Sequence, residues 1–135
     1  LDEALKMMRE EGLDNIFLRH NKHKLAMSNA VKALNLKLFA DEKYLSPSIT
    51  AIKTEGIDAE EFRKTIKNNF DILLAGGQDH LKGKIFRVGH LGYVNDRDII
   101  TVVSAISNTL LKLGKITAQQ AGEALVIASK YLEGN

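Results

Sequence analysis

Two apolar runs joined by a very short link constrain this chain most. "DILLAGG" at 71–77 and "GKIFRVGH" at 83–90 both read as strands. About nine residues connect their central parts, 71–75 and 84–89, whereas a parallel crossover needs a dozen or more. The two are therefore expected to pair antiparallel. Helical periodicity brackets them. The expected fold is α+β: a small, mainly antiparallel sheet of three to four strands, with helices packed on one face.

The other elements follow from period and punctuation. Residues 2–11 read as a short helix ended by Gly12, and Asp14 as the N-cap of a longer one through Leu34. Ile16, His20, His23, Met27, Val31 and Leu34 recur at steps of three and four and define one face of it. "LKLFA" at 36–40 and the β-branched "SITAIKT" at 48–54 read as strands. Asp58 with Glu61 resembles a capping box for a helix over 59–69 that buries Phe62, Ile66 and Phe70. Asn95 with Asp98 opens a helix over 96–113, with a stripe of Ile99, Val102, Val103, Ile106, Leu110 and Leu113 before Gly114. Thr117 with Gln120 opens the last helix, whose inner face is Ala121, Leu125, Ala128 and Leu132.

Composition excludes several function classes. The 135 residues are 44% apolar and 27% charged, enough for the core of one domain, and no internal linker or repeat divides them. There is no cysteine, hence no disulfide, thiolate ligand or thiol nucleophile. The net charge is only +2 with no basic run, so no nucleic-acid partner is expected. No run is apolar for long enough to span a bilayer and the first residues do not resemble a signal peptide, so the expectation is a cytoplasmic protein without a membrane partner. The sequence starts at Leu1 directly in helix-like "LDEALKMMREE", which suggests a piece of a longer polypeptide.

Most local motifs reduce to structure. "AGGQDHLKGK" has the glycines of a phosphate loop, but Gln78 stands where the first obligatory glycine belongs and Ile85 where Ser or Thr should follow Lys84. A flexible hairpin loop is the better reading. His20 and His23 have a spacing that metal sites use, yet no further ligands stand at a matching spacing. A helix face covered by another domain explains them more simply. Paired carboxylates occur only at helix starts (Asp58 and Glu61, Asp96 and Asp98), where capping accounts for them. No catalytic residue and no cofactor ligand is assigned within this chain.

Arg87 is the exception. It interrupts an apolar strand, and a charge there costs free energy unless something pairs with it. Strand alternation puts Phe86, Val88 and His90 on one face and Ile85, Arg87 and Gly89 on the other. With Phe86 and Val88 against the helices, Arg87 projects from the opposite face, beside a glycine that adds no bulk. Its planar fork matches a carboxylate. Taken locally, an ordinary exposed arginine is the better explanation of the position.

The stretch "AGGQDHLKGKIFRVGHLGYVNDRDIITVVSAISNTLLKLG" resembles the C-terminal part of class V pyridoxal-phosphate aminotransferases of the alanine–glyoxylate and serine–pyruvate type. The resemblance rests on Gly76 and Gly77, then Leu81 to Gly92 as "LKGKIFRVGHLG", then a capped helix ending in glycine. It extends more weakly over the whole chain, including "GLDNIFLRHNKHKLAMSNAVKALNLKLF", and some relatives carry the label of a soluble hydrogenase subunit. It implies that residues 1–135 are a single domain, the small domain of a fold-type-I transferase whose large cofactor domain is absent here. It also implies that Arg87 binds the carboxylate of a small amino-acid or keto-acid substrate. Pyridoxal phosphate belongs, on the same basis, to the full-length protein, a homodimer, with none expected bound to this piece alone. The lysine that carries the cofactor and the acidic partner of its ring belong to the large domain, so no lysine here is nominated. The alternatives are another class V activity, a desulfurase or lyase, or a non-catalytic sheet module for RNA or protein. The last has only the pI near 8.8 in its favour, because the central strands offer little beyond Phe86 for base stacking.

Overall fold

The computed structural model describes residues 1–133. Its elements run α1 (Asp2–Glu11), α2 (Leu13–Ala33), β1 (Lys37–Leu38), β2 (Ile49–Lys53), α3 (Ala59–Phe70), β3 (Ala75–Gly76), β4 (Ile85–Gly89), α4 (Asp96–Lys112) and α5 (Ala118–Glu133). The strands form one sheet in the order β1-β2-β4-β3, and every neighbouring pair is antiparallel. The short link between β3 and β4 does what its length requires.

Helix starts follow their capping residues in three cases. The Asp58 carboxylate accepts the amides of Glu60 and Glu61 at 2.7 and 3.1 Å. Asn95 and Asp98 form a full capping box at the head of α4. Thr117 and Gln120 exchange bonds of 2.9 and 3.2 Å ahead of α5. Asp14 does not cap. Gly12, at φ 82°, breaks the helix, and α2 restarts at the very next residue. Asp14 therefore sits inside the first turn, where its charge complements the helix dipole instead.

The core lies between the sheet and the helices. Ile52, Phe86 and Val88 point into it and meet Met27 and Val31 of α2, Phe62 and Ile66 of α3, and Ile106 of α4. The rings of Phe62 and Phe86 lie 5.2 Å apart, a separation at which aromatic pairs add to simple burial. Two predicted stripes shift at their edges. Leu113 follows the last residue of α4 and is 51% exposed. On α5 the buried line is Ala124, Ala128 and Leu132, with Ala121 and Leu125 only half-buried.

The expected strand over 71–77 shrinks to Ala75 and Gly76. Asp71 takes the left-handed conformation, φ 53°, to end α3, so the chain is still turning where an extended run was expected. Leu74 nevertheless buries its side chain. "LKLFA" shrinks likewise to Lys37–Leu38.

The glycine-rich connection is a tied hairpin rather than a flexible one. Gly77 N–H bonds to Ile85 O at 3.2 Å, Ala59 N–H to Gly83 O at 3.0 Å, and Thr54 N–H to Lys84 O at 3.0 Å. A Cβ on Gly77 would stand 2.1 Å from the carbonyl oxygen of Leu81, and one on Gly76 would stand 2.5 Å from a terminal nitrogen of Arg63. Gly77 is thus a packing requirement of the hairpin, whereas at Gly76 the ends of the Arg63 and Glu60 side chains could shift. Gly77→Ala is expected to cost about 2 kcal/mol or more because backbone must move. A denaturant midpoint equal to wild type would contradict this.

Candidate functional site

Arg87 sits at the centre of β4, with Ala51 of β2 on one side and Ala75 of β3 on the other. The alternation that buries Phe86 and Val88 turns Arg87 to the outer face of the sheet. Ala51, Ala75, Arg87 and Gly89 share that face and none of the four is buried, whereas Ile85, expected on the same face, is buried at the start of the strand. Arg87 is therefore a half-buried cation on a floor of small residues. Its Nε donates to the carbonyl of Gly76 at 3.0 Å. Among the described residues its two terminal nitrogens have no hydrogen-bond partner and no carboxylate forms an ion pair with it. One internal bond restrains the guanidinium and leaves the fork free.

The histidines belong to another part of the molecule. His20 and His23 do share a face, but this chain covers it, not another domain. His20 Nδ1–H donates to Ile16 O at 2.7 Å, and its Nε2 accepts the Gly92 amide at 3.2 Å. His23 Nε2–H donates to Asp96 at 2.8 Å, and its Nδ1 is buried without a partner among the described residues. His90 donates from Nδ1 to Pro47 O at 3.0 Å and accepts from the Thr50 hydroxyl at 2.9 Å. At His90 one nitrogen donates and the other accepts, the pattern of a neutral ring. Burial pushes His23 below its ordinary value, although Asp96 opposes it. Burial takes His90 down to about 4, against the bond to Pro47.

Asp96 was expected to cap a helix. Its neighbour Asp98 does so, whereas Asp96 binds Lys22 and His23, both at 2.8 Å. Burial raises the Asp96 carboxyl, but these two hydrogen bonds outweigh it and hold the group below its usual range. Arg19 completes a clamp on the loop after β4. It grips Glu11 at 2.6 and 2.9 Å and donates to the carbonyls of Gly92 and Val94 at 2.9 and 3.0 Å. Periodicity gave no sign of this clamp, because Arg19 lies just off the apolar stripe and its partners are loop carbonyls.

Among the described residues no three His, Asp or Glu side chains converge as metal ligands. A groove of about 920 Å³ runs between α2 and α5 past Leu18, Leu25, Asn29, Ile127 and Tyr131. It lies away from Arg87 and gathers no acid–base pair. Among the described residues no helix is long and apolar enough to cross a membrane.

No protein-family model matches the chain. Individual relatives do. The chain is 34% identical over 138 residues to the serine–glyoxylate aminotransferase of Methylorubrum extorquens, covering 100% of this chain and 34% of that protein. It superposes with a TM-score of 0.86 on the ureidoglycine–glyoxylate aminotransferase of Bacillus subtilis, at 31% identity over 95% of this chain and 34% of that one. The chain is a homologue of the small domain of class V aminotransferases. This small domain is also 51% identical over 132 residues to the small subunit of a soluble hydrogenase from a Synechococcus species, covering 98% of the chain and 34% of that protein. It spans about a third of the length of the curated relatives it matches. Its α+β architecture is that of the matched region.

The burial of His90 and His23 sets a pH dependence. His90 binds its proton near pH 4 when folded and near its ordinary value of 6.5 when unfolded. The unfolded chain therefore takes up more protons between those values, and stability falls as pH drops through them. The His90 contribution is complete above about pH 6.5 and about 3 kcal/mol is lost by pH 4. His23 acts in the same direction. Urea midpoints that hold constant across this window would contradict the assignment of a neutral, buried His90.

Proposed function

We propose that this small domain works within a longer pyridoxal-phosphate-dependent aminotransferase, where Arg87 binds the carboxylate of a small amino acid or keto acid. The state of Arg87 carries the reading. One nitrogen is tied to Gly76, and the fork has no internal partner among the described residues. A carboxylate on the outer face would accept two parallel charge-assisted hydrogen bonds from the terminal nitrogens. That pairing holds the acid end and, through it, the direction in which the reacting carbon is presented.

A second observation supports cover from another part of a longer protein. Leu73 lies just before β3 and Leu91 and Tyr93 just after β4, and antiparallel pairing brings these points to the same end of the sheet. They are 77%, 69% and 83% exposed. Large exposed apolar side chains suit a surface that another part of a longer protein closes, and Leu91 and Tyr93 line a groove with Met7, Met8 and His20. In the proposed enzyme Arg87 then sits in a cleft, which strengthens its bond to an anion by excluding water.

Pyridoxal phosphate supplies the electron sink of such chemistry when bound. On this reading its cradle lies outside this chain. The glycine-rich hairpin uses its amides on its own carbonyls, with Leu81 N–H on Gln78, Lys82 N–H on Asp79 and Lys84 N–H on Leu81. The proposal accordingly leaves the cofactor, its lysine and its phosphate contacts to the rest of the longer protein. It takes that parent to be a cytoplasmic homodimer whose partners are amino-acid and keto-acid substrates, not nucleic acid or membrane. With no cysteine, the chain contributes no thiolate to the metal chemistry that the hydrogenase label of one relative suggests.

In the full-length protein, Arg87→Ala is expected to raise KM for the amino donor and lower kcat/KM by about 2–4 kcal/mol. Arg87→Lys should recover only part of this, since a point charge lacks the fork. Kinetics unaltered in both variants would refute the reading. Amino transfer to a keto acid separates a transaminase from a desulfurase or lyase on the same fold. The isolated domain is expected to show no transamination and to retain no pyridoxal phosphate after gel filtration; a coloured, active domain would count against the division of labour proposed here.

A further inference from the structure

We infer that Arg63 is a positioning residue for Arg87: it fixes the short edge strand whose carbonyl sets the direction of the Arg87 guanidinium. This rests on the reading of Arg87 given above. An arginine side chain carries about 2 kcal/mol of rotamer freedom. A single internal acceptor narrows that freedom before a ligand arrives, so less is lost on binding. Here the acceptor is the carbonyl of Gly76, 3.0 Å from Nε. Arg87 is aimed only as well as that carbonyl is held.

β3 gives that carbonyl a short frame. The strand has two residues, lies at the edge of the sheet and pairs with β4 alone. Among the described residues, Arg63 and Arg87 are the only side chains that bond to the backbone of 72–76. Arg63 Nε donates to the Leu74 carbonyl at 2.8 Å, directly ahead of the strand. The Leu74 side chain is buried and anchors the segment as well, but it leaves the carbonyl to Arg63. One terminal nitrogen of Arg63 donates to both Glu60 oxygens at 2.9 Å, which ties the same side chain back to α3.

The ion pair also lies against Gly76 itself. Gly76 faces Phe86 across the β3–β4 ladder, so a side chain there would point toward the helices, opposite the face of Arg87. A Cβ at 76 would stand 2.5 Å from the Arg63 terminal nitrogen and 2.7 Å from a Glu60 oxygen. The pair therefore fills the room of that missing side chain and packs on the residue that carries the accepting carbonyl. Glu60 balances the charge of Arg63 on the helix side, so Arg63 does not compete for the substrate carboxylate. One guanidinium braces the strand and the other takes its direction from it.

The test is a double-mutant cycle in the full-length protein, with Arg63→Ala and Arg63→Lys each made alone and together with Arg87→Ala. With Arg87 present, Arg63→Ala is expected to raise KM for the amino donor about fivefold, with kcat within about twofold. Arg63→Lys keeps the stem and a donor for Leu74 and is expected to raise KM less; it carries the cycle by itself where Arg63→Ala does not fold. With Arg87 replaced, neither Arg63 change should raise KM further, because no guanidinium is left to aim. A role confined to holding the hairpin would lower the melting temperature without this dependence on Arg87. Wild-type KM in both Arg63 variants, beside a raised KM in Arg87→Ala, would overturn the inference and leave the Arg87 reading standing. An equal rise with and without Arg87 would also overturn it. If Arg87→Ala keeps the wild-type KM, both fall.

Discussion

Everything on the outer face depends on the register of β4. Phe86 and Val88 are 0% and 2% exposed, and their burial against three helices fixes which way the strand faces. A slip of one residue would place Arg87 in the core and Phe86 in water. The cost of burying an unpaired guanidinium forbids that alternative as firmly as the loss of apolar burial does. The pairing of Ile52 with Phe86 and of Ala51 with Arg87 repeats the same segregation on β2. Core packing thus aims the guanidinium.

Much of this was legible in the sequence because the decisive signals are local. Asn95 with Asp98 and Thr117 with Gln120 announce helix starts by chemistry that needs only four residues. The link between the last two strands sets their direction by reach alone. Alternation around Phe86 gives the face of Arg87. What escaped was non-local. The shortness of β3 follows from the left-handed turn at Asp71 and from the Arg63 side chain packed against Gly76, neither visible as a pattern. The role of Asp96 depends on Lys22 and His23, which lie over seventy residues away. A carboxylate at a helix start reads as a cap until its distant partners are known.

The histidines teach the same lesson about faces. Their spacing marked a side of α2 that something must cover. The cover is the segment after β4, held by Arg19 and Asp96 and closed by the Gly92 amide on His20. Polar rings in such a place must be satisfied, and five of their six ring nitrogens have partners among the described residues. The unsatisfied Nδ1 of His23 is consistent with a ring held in position by its Asp96 bond, not by its surroundings on every side.

β3 closes one edge of the sheet with only two residues. Two guanidinium groups fasten its backbone, Arg63 on the carbonyl of Leu74 and Arg87 on that of Gly76. Unsatisfied carbonyls along such an edge would invite a foreign strand to extend the sheet. The occupied acceptors and the two positive charges make this border a poor template for fibril-like stacking, so the arginine nominated for ligand capture also guards the chain against joining its own kind.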